Sequence, residues 1–332
     1  MADYEAHLNS LPDKLYKDSV YYFSKDRLAN VYQGFFAFGL NDLGRDDRWK
    51  EWDVARCGLF FRKEAKNDAK AVKWDNDLWI EVNDYLIKNL FERFEDFKLY
   101  LNSLPEAHLF KNSHPNDELY FFMFTTTTVF LYYHELGHII QYDKSSQKQI
   151  TEEMNAALTK IDFDIMKHAC EYDSDEFAAN FLYEQIAGNF ITKSKLKSRQ
   201  VLKAMITTSI AAIFVLFEML DDGFQLPVYF EEKSHPNSLI RTIAITGLVL
   251  NKMEEEFGTK YEITQSDVIK RAFQIVVPLL GSGYSMKNFY DALNLEKKGI
   301  VNYSTKLRKI RDQFDWMAGV KLKKRSLNAT NK

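Results

Sequence analysis

The sequence is poor in the residues that cross-link or interrupt a fold. Its 332 residues include 2 cysteines, 6 prolines and 13 glycines. The two cysteines, Cys57 and Cys170, exclude a disulfide framework and a metal site built on cysteine alone. No glycine-rich phosphate loop or dinucleotide fingerprint occurs. With 46% hydrophobic and 27% charged residues, the composition predicts a globular, helix-rich chain that buries a sizeable core.

The sequence also lacks a strong excess of charge and a long apolar run. A formal net charge of -3 gives no whole-chain signature of nucleic-acid binding. The first residues contain no basic region followed by an apolar run, so we expect no secretory signal and a cytoplasmic location. The strongest membrane candidate, Ala204 to Phe217, is shorter than the roughly 20 residues that span a bilayer. We predict a buried core helix there and no transmembrane span, and peripheral membrane contact stays open.

One short motif is specific enough to predict chemistry, namely His134-Glu135-Leu136-Gly137-His138. Residues four apart on a helix share a face, so both histidine rings can direct a nitrogen at one ion. Glu135 lies about 100° further round, where it can reach a water on that ion without binding the ion itself. Gly137 predicts close approach of another segment beside the ion. The alternative is that the two histidines merely lie on a polar helix face.

The motif belongs to a long predicted helix, from about Asp117 to about Tyr142. Between Leu119 and Tyr133 this segment is apolar on nearly every face, which is typical of a buried helix. A buried helix would hold the two histidines rigidly, as a metal site requires.

A second predicted helix, from about Met154 to Ile186, carries four acidic residues close together: Glu171, Asp173, Asp175 and Glu176. A catalytic zinc needs three protein ligands and an open position, so we predict Glu171 as the third ligand. Asp175, one turn along, would accept the spare ring N–H of a zinc histidine and fix its tautomer. His168 competes with Glu171 as ligand, and a solvated acidic helix face is the alternative to any site.

The tetrapeptide Ser-His-Pro-Asn occurs twice, at residues 113–116 and 234–237. Each copy precedes a predicted helix, so both are compatible with simple helix-start signals. His235 differs from His114 because Arg241 follows it on the next helix and because it comes after the third ligand in the chain. We single out His235, and which of the two histidines faces the site stays open.

Three blocks of sequence together resemble those of gluzincin metallopeptidases. They are HELGH at 134–138, EYDSDEFAA at 171–179 and SHPNSLIR at 234–241. They are similar to the H-E-x-x-H, E-x-x-x-D and S-H-P-…-R blocks of the HtpX and CAAX-prenyl-peptidase group and of the Lit-type phage-exclusion peptidases. The ImmA/IrrE group shares the first two blocks and lacks the third.

The resemblance implies a zincin-like core with a buried active-site helix. Its implied zinc ligands are His134, His138 and Glu171, with Asp175 in support. It also implies Glu135 as the base, with His235 and Arg241 on the substrate side and His235 donating to the oxyanion.

A chain without clear spanning helices is more similar to the Lit-type enzymes than to the HtpX type. That likeness implies phage defence by cleavage of a host translation factor, elongation factor Tu, with a phage protein as activator. Two alternatives are an ImmA-like protease that cuts a repressor and a non-catalytic, zinc-stabilised binding protein.

The whole pattern predicts a mainly α fold with a small sheet, divided into three regions. Residues 1–112 would form an aromatic-rich lobe suited to substrate selection, and residues 113–260 the metallopeptidase core. Residues 261–332 would form a C-terminal helical segment with a basic tail. That tail, from Lys321, is expected to be solvated and mobile.

Four local predictions accompany this division. Apolar residues three and four apart predict amphipathic helices in Val20–Leu40 and Asp77–Leu101. Cys57–Glu64 has the composition of a strand. In the C-terminal part, helices are expected over 237–257 and again from Ser266, with an interruption at Pro278.

Overall fold

The computed structural model describes residues 4–9, 19–44, 57–74, 77–113, 118–141, 160–221, 228–231, 235–281 and 283–330. Of these residues, 76% are helical and 7% lie in strands. The predicted fold class, mainly α with a small sheet, is therefore confirmed.

The small sheet lies in the first region of the chain. It comprises β1 (Cys57–Arg62), β2 (Ala69–Trp74) and β3 (Asp77–Asn83) in the order β1-β3-β2. The central strand β3 runs parallel to β1 and antiparallel to β2. The strand predicted at Cys57 is confirmed. Strand β2 is an edge strand, since β3 is its only partner in the described part of the sheet.

The helix predicted over Asp77–Leu101 is wrong in its first third. That segment begins as strand β3 and continues as helix α3 (Asp84–Asp96) and helix α4 (Lys98–Ser103). Residues 78–83 are all buried because neighbouring strands pair on both edges of β3 and side chains pack on both of its faces. Such a strand has no polar face, so a short apolar run cannot be distinguished from a buried helix by periodicity.

Two N-terminal helices, α1 (Tyr4–Asn9) and α2 (Ala29–Leu43), pack on the sheet. The predicted helix from Val20 therefore starts nine residues later, and Val20 itself bridges Arg62. Aromatic rings fill the contact: Tyr4 lies against Phe23 and Phe36 with ring centroids 4.5 and 4.8 Å apart. Edge-to-face and stacked pairs of this kind contribute about 0.5–1.5 kcal/mol each beyond the area they bury.

Helix α6 (Leu119–Gln141) is the central rod of the molecule, and it follows helix α5 (Pro105–Ser113). Its bounds confirm the predicted helix within two residues at each end. Seventeen of its residues are buried, among them the fully enclosed Met123, Tyr132 and Leu136. It packs along helix α7 (Lys160–Thr192), which extends six residues beyond the predicted end. The first predicted residues of α7, 154–159, lie outside the described part of the chain.

Helix α8 (Arg199–Leu220) contains the apolar stretch examined as a membrane candidate. Among the described helices it alone is long and apolar enough to cross a bilayer, and 89% of its most apolar 18-residue window is buried inside the protein. The predicted core helix is confirmed. It packs against other helices, and the ring of Phe214 lies tilted against Phe273 and edge-on to Phe289.

The C-terminal part adds four helices: α9 (Ser238–Phe257), α10 (Gln265–Leu280), α11 (Met286–Arg311) and α12 (Ala318–Thr330). Helices α9 and α10 match the predicted starts. The predicted interruption at Pro278 is wrong, because α10 continues through Pro278 to Leu280. It ends before Gly281, where φ is +95°. Residues 321–330 of the predicted basic tail are helical, as part of α12.

Candidate metal centre

Helix α6 brings the two motif histidines together at one point. The Nε2 atoms of His134 and His138 lie 3.2 Å apart, and the exposed fraction of His134 is 7%. This follows from helix geometry, since residues four apart stand one turn above each other. The surrounding turns are buried, so packing fixes both rings.

Helix α7 supplies the predicted third donor. The carboxylate of Glu171 lies 3.4 Å from Nε2 of His134 and 3.4 Å from Nε2 of His138. One potential ligand atom from each of the three residues lies within 4.8 Å of the others. The competing ligand, His168, is wrong: its ring is fully buried elsewhere, with Nδ1 2.6 Å from the hydroxyl of Tyr303.

Asp175 determines which ring nitrogen of His134 carries the proton and which one presents a lone pair to Glu171. Oδ1 of Asp175 lies 3.0 Å from Nδ1 of His134. A carboxylate only accepts hydrogen bonds, so the ring proton belongs on Nδ1 and the lone pair on Nε2. Asp175 thus lies beside this ring as predicted, at ion-pair distance and without a hydrogen bond to Nδ1 among the described residues.

A glutamine fixes the other ring in the same sense. Nε2 of Gln141 donates to the carbonyl of Cys170 and to Oδ2 of Asp173, each at 3.0 Å. Both partners accept, so the amide must turn its Oε1 toward His138, where it lies 3.0 Å from Nδ1. That oxygen accepts the ring proton, with the hydroxyl of Ser174 also 3.1 Å from Nδ1, so Nε2 of His138 presents a lone pair as well.

The donor set therefore fits a cation. Two imidazole lone pairs and a carboxylate face one another, and Oε2 of Glu171 is buried without a hydrogen-bond partner among the described residues. A buried carboxylate oxygen in that position is costly unless a positive charge binds it. Two imidazole nitrogens and one carboxylate are a ligand set that zinc uses in catalytic sites.

The titration of these groups points the same way. Burial opposes charge on each of them, but Asp175 and Glu171 raise the pKa of His134 to about 10. Although burial raises the pKa of Glu171, His138 and His134 outweigh it and hold that pKa well below its usual value. Without a metal ion a proton takes the cation's place, and metal binding must displace it.

Arg241 does not lie where the resemblance placed it. Its guanidinium, 4% exposed, donates two hydrogen bonds to Asp175, of 2.7 and 2.8 Å, and stacks 3.8 Å from the ring of Phe217. Burial alone would raise the pKa of Asp175, but the Arg241 charge lowers it below its usual value. The same pairing raises the pKa of Arg241 against burial. Arg241 thus lies behind His134, where its guanidinium binds both oxygens of the Asp175 carboxylate.

His235 lies at the open side of the cluster. Its Nε2 is 3.4 Å from Oε1 of Glu171, and 44% of its side chain is exposed. Burial lowers the pKa of His235, while Glu171 raises it less, so the ring is neutral at pH 7. His114, the other candidate, lies outside the described residues.

The cluster opens into a cavity of about 530 Å³. Edge strand β2 contributes one wall through residues 69–71, and Trp316 contributes another. Glu135 lines the cavity beside the two histidines, with an exposed fraction of 4%. Burial raises its pKa, although His134 and His138 lower it. A raised pKa suits a carboxylate that accepts a proton near neutral pH.

Gly137 shows why the motif carries a glycine. A Cβ at this position would lie 3.1 Å from Cα of Ser174 and 3.0 Å from its Oγ. Helices α6 and α7 therefore touch through their backbones one turn from Glu171. The close approach predicted from the sequence is present, and Ser174 on α7 is the partner.

We expect Gly137→Ala to push α6 and α7 apart. Overpacking costs about 1–3 kcal/mol and should exceed the roughly 1 kcal/mol that alanine adds to helix stability. Urea unfolding would measure the loss, and zinc competition would show weaker binding because Glu171 moves with α7. Gly34→Ala is the matched control, since a Cβ at Gly34 meets nothing within 4 Å. Equal stability of the two variants would contradict the explanation.

Sequence reasoning assigned no role to Gln141, Asp173, Ser174 or Trp316. Gln141 was detectable, because it stands three residues after His138 and so shares its helix face. Asp173 and Trp316 were not, because their roles depend on how distant helices pack.

Comparison of the chain with protein-family models, with curated proteins and with solved structures finds no match. The assignment of a role to this site therefore depends on its geometry and on the motif resemblance.

Proposed function

We propose that the protein is a zinc-dependent endopeptidase that hydrolyses a cytosolic protein. The observation that carries the proposal is the convergence of two imidazole lone pairs and the Glu171 carboxylate beside a non-ligating glutamate, Glu135, at the wall of an open cavity. A structural metal site has no use for such a glutamate.

A zinc ion held by His134, His138 and Glu171 would polarise a substrate carbonyl and lower the pKa of a bound water toward about 7. Glu135 would accept the proton of the attacking water and deliver it to the leaving amine. Its position next to His134 in the chain, on a fixed helix, keeps the carboxylate within reach without letting it bind the ion.

Strand β2 supports a peptide as the substrate. It is an edge strand of the described sheet, and its first residues, 69–71, line the cavity that contains the cluster. An exposed strand edge pairs with an extended chain through backbone hydrogen bonds, without regard to side-chain identity. A peptide paired with this edge would pass beside the metal ligands.

The resemblance to Lit-type peptidases extends the proposal to its substrate. It suggests cleavage of elongation factor Tu in phage defence, with a phage protein as activator. The ImmA-like alternative suggests cleavage of a repressor. Cleavage that needs both elongation factor Tu and a phage protein would favour the first, and cleavage of a DNA-bound repressor would favour the second.

The first test is metal content and cleavage together. Purified protein should contain about one zinc per chain, and a chelator should abolish the new protein N-termini that appear when the protein is incubated with a cell extract. Restoring zinc should restore them. Zinc content without any cleavage product would oppose the peptidase and favour a zinc-stabilised binding protein.

The variant His235→Ala distinguishes a catalytic zinc site from a structural one. In the catalytic reading His235 donates to the oxyanion, so His235→Ala should lower kcat by about 10²–10³ and leave zinc affinity unchanged. If His235 instead completes a closed, four-ligand site, zinc affinity falls in that variant. His108→Ala, at an exposed position on α5, is the control for loss of a histidine.

A further inference from the structure

The C-terminal helix reaches the metal centre through one buried carboxylate. Asp173, fully buried on α7, accepts a 3.0 Å hydrogen bond from the backbone N–H of Gly319 in the first turn of α12. The first four N–H groups of a helix have no partner within it, and a negative charge there is favourable. Asp173 thus caps α12 from a position about 145 residues earlier in the chain.

The other oxygen of the same carboxylate holds Gln141. Oδ2 of Asp173 accepts from Nε2 of Gln141 at 3.0 Å, and Oε1 of Gln141 lies 3.0 Å from Nδ1 of His138. Three contacts therefore connect the first turn of α12 to a metal ligand. Each contact determines the orientation of the next, because the carboxylate is planar and the amide has one acceptor end.

We propose that docking of α12 on Asp173 and zinc binding at His138 are coupled, with Gln141 and Asp173 as positioning residues for that ligand. The proposal deepens the proposed function and depends on its metal site. When α12 is docked, Asp173 is held in place, Gln141 keeps its oxygen on Nδ1, and the lone pair of His138 points at the ion. When α12 is undocked, Asp173 can reorient and Gln141 keeps only its contacts with Cys170 and Ser174 on α7, so its hold on the ring of His138 weakens.

Coupling of this kind is reciprocal. If docking of α12 strengthens zinc binding by some factor, zinc must stabilise the docked helix by the same factor. Trp316 lies two residues before α12 and lines the cavity. Docking of the helix therefore also positions one wall of the cavity.

Gly319→Ala tests the coupling at α12, the end of this series of contacts that lies opposite His138. A Cβ at Gly319 would lie 2.8 Å from Oδ1 of Asp173, so the carboxylate or the helix must shift. Alanine itself favours a helix, so α12 is not weakened from within. We expect zinc affinity, measured by competition with a chromophoric chelator, to fall about 10-fold, the lower end for loss of an outer-shell partner.

Gly188→Ala is the matched control, because it makes the same change in helix α7 and its Cβ would meet nothing within 4 Å. It lies about 25 Å from Glu171 along the helix at 1.5 Å per residue. Its zinc affinity should equal that of the wild type. Equal affinity of Gly319→Ala and Gly188→Ala would overturn the proposal.

Hydrogen exchange distinguishes coupling from a purely structural role of Gln141, because a structural role would not make amide exchange in α12 depend on zinc. In the wild type, saturating zinc should slow amide exchange in the first turn of α12, and in Gln141→Leu that slowing should disappear while zinc is still bound. Zinc affinity of Gln141→Leu should fall about 10–100-fold. Gln185→Leu, the same change on the neighbouring helix α7, should behave as wild type in both measurements.

Far-UV circular dichroism and the thermal midpoint of each metal-free variant establish that it is folded before these comparisons. Zinc bound to the wild type with no effect on α12 exchange would overturn the coupling and leave the peptidase proposal standing. A wild type that binds no zinc would overturn the metal site itself, and with it both proposals.

Discussion

Glu135→Gln is expected to abolish hydrolysis while zinc stays bound. Glutamine has the shape of glutamate but cannot accept the proton of the attacking water, so the rate should fall by about 10²–10⁴, the usual contribution of a general base. Glu135 lines the cavity and is not part of the three-residue ligand cluster, so zinc affinity should not change.

The measurement compares cells and extracts that contain the wild type or Glu135→Gln. New protein N-termini should appear with the wild type and be absent with the variant, at equal protein and equal zinc content. Glu256→Gln, at an exposed position on α9, controls for the loss of a charge. Cleavage retained by Glu135→Gln would remove this residue from the mechanism.

Glu171→Gln is expected to remove the metal. Zinc sites release about 10–16 kcal/mol over four ligands, so one lost ligand corresponds to roughly 10²–10³ in affinity or more. The amide also cannot supply the negative charge that balances the positive charge of the ion. Activity should be lost at ordinary zinc concentrations and recover only partly when zinc is raised.

A zinc titration followed by thermal unfolding would measure this effect. Zinc should raise the midpoint of the wild type, since a ligand that binds only the folded state stabilises it, and should hardly affect Glu171→Gln. Glu184→Gln, at an exposed position on the same helix, is the control. If neither zinc nor chelator changed the unfolding midpoint of the wild type, the cluster would bind a proton and no metal ion.

The long helices were predictable because each has one dominant physical cause. Helix α6 is apolar on nearly every face and ends close to the predicted residues, and α8 is a core helix as its length implied. Strand β3 was missed because its burial comes partly from its pairing with β1 and β2, which are separate segments of the chain. Local spacing carries no record of those partners.

The candidate site likewise has parts that the sequence predicts and parts that depend on tertiary packing. Spacing within one helix was enough to bring His134 and His138 together, because helix geometry fixes residues four apart. Asp175 was placed beside His134 by the same one-turn argument from Glu171. Arg241 was assigned to the substrate side on the resemblance alone, and the structure places it behind the site because a buried carboxylate needs a buried cation.

By itself, the sequence determined the helical class, the paired histidines with their adjacent glutamate, and the buried rod that carries them. Only the tertiary structure decided that Glu171 rather than His168 completes the cluster, that Arg241 serves Asp175, and that the C-terminal helix meets the site through Asp173. The reason is physical: periodicity along a chain records which face of an element is buried, whereas the partner that buries it is set by the packing of helices distant in sequence.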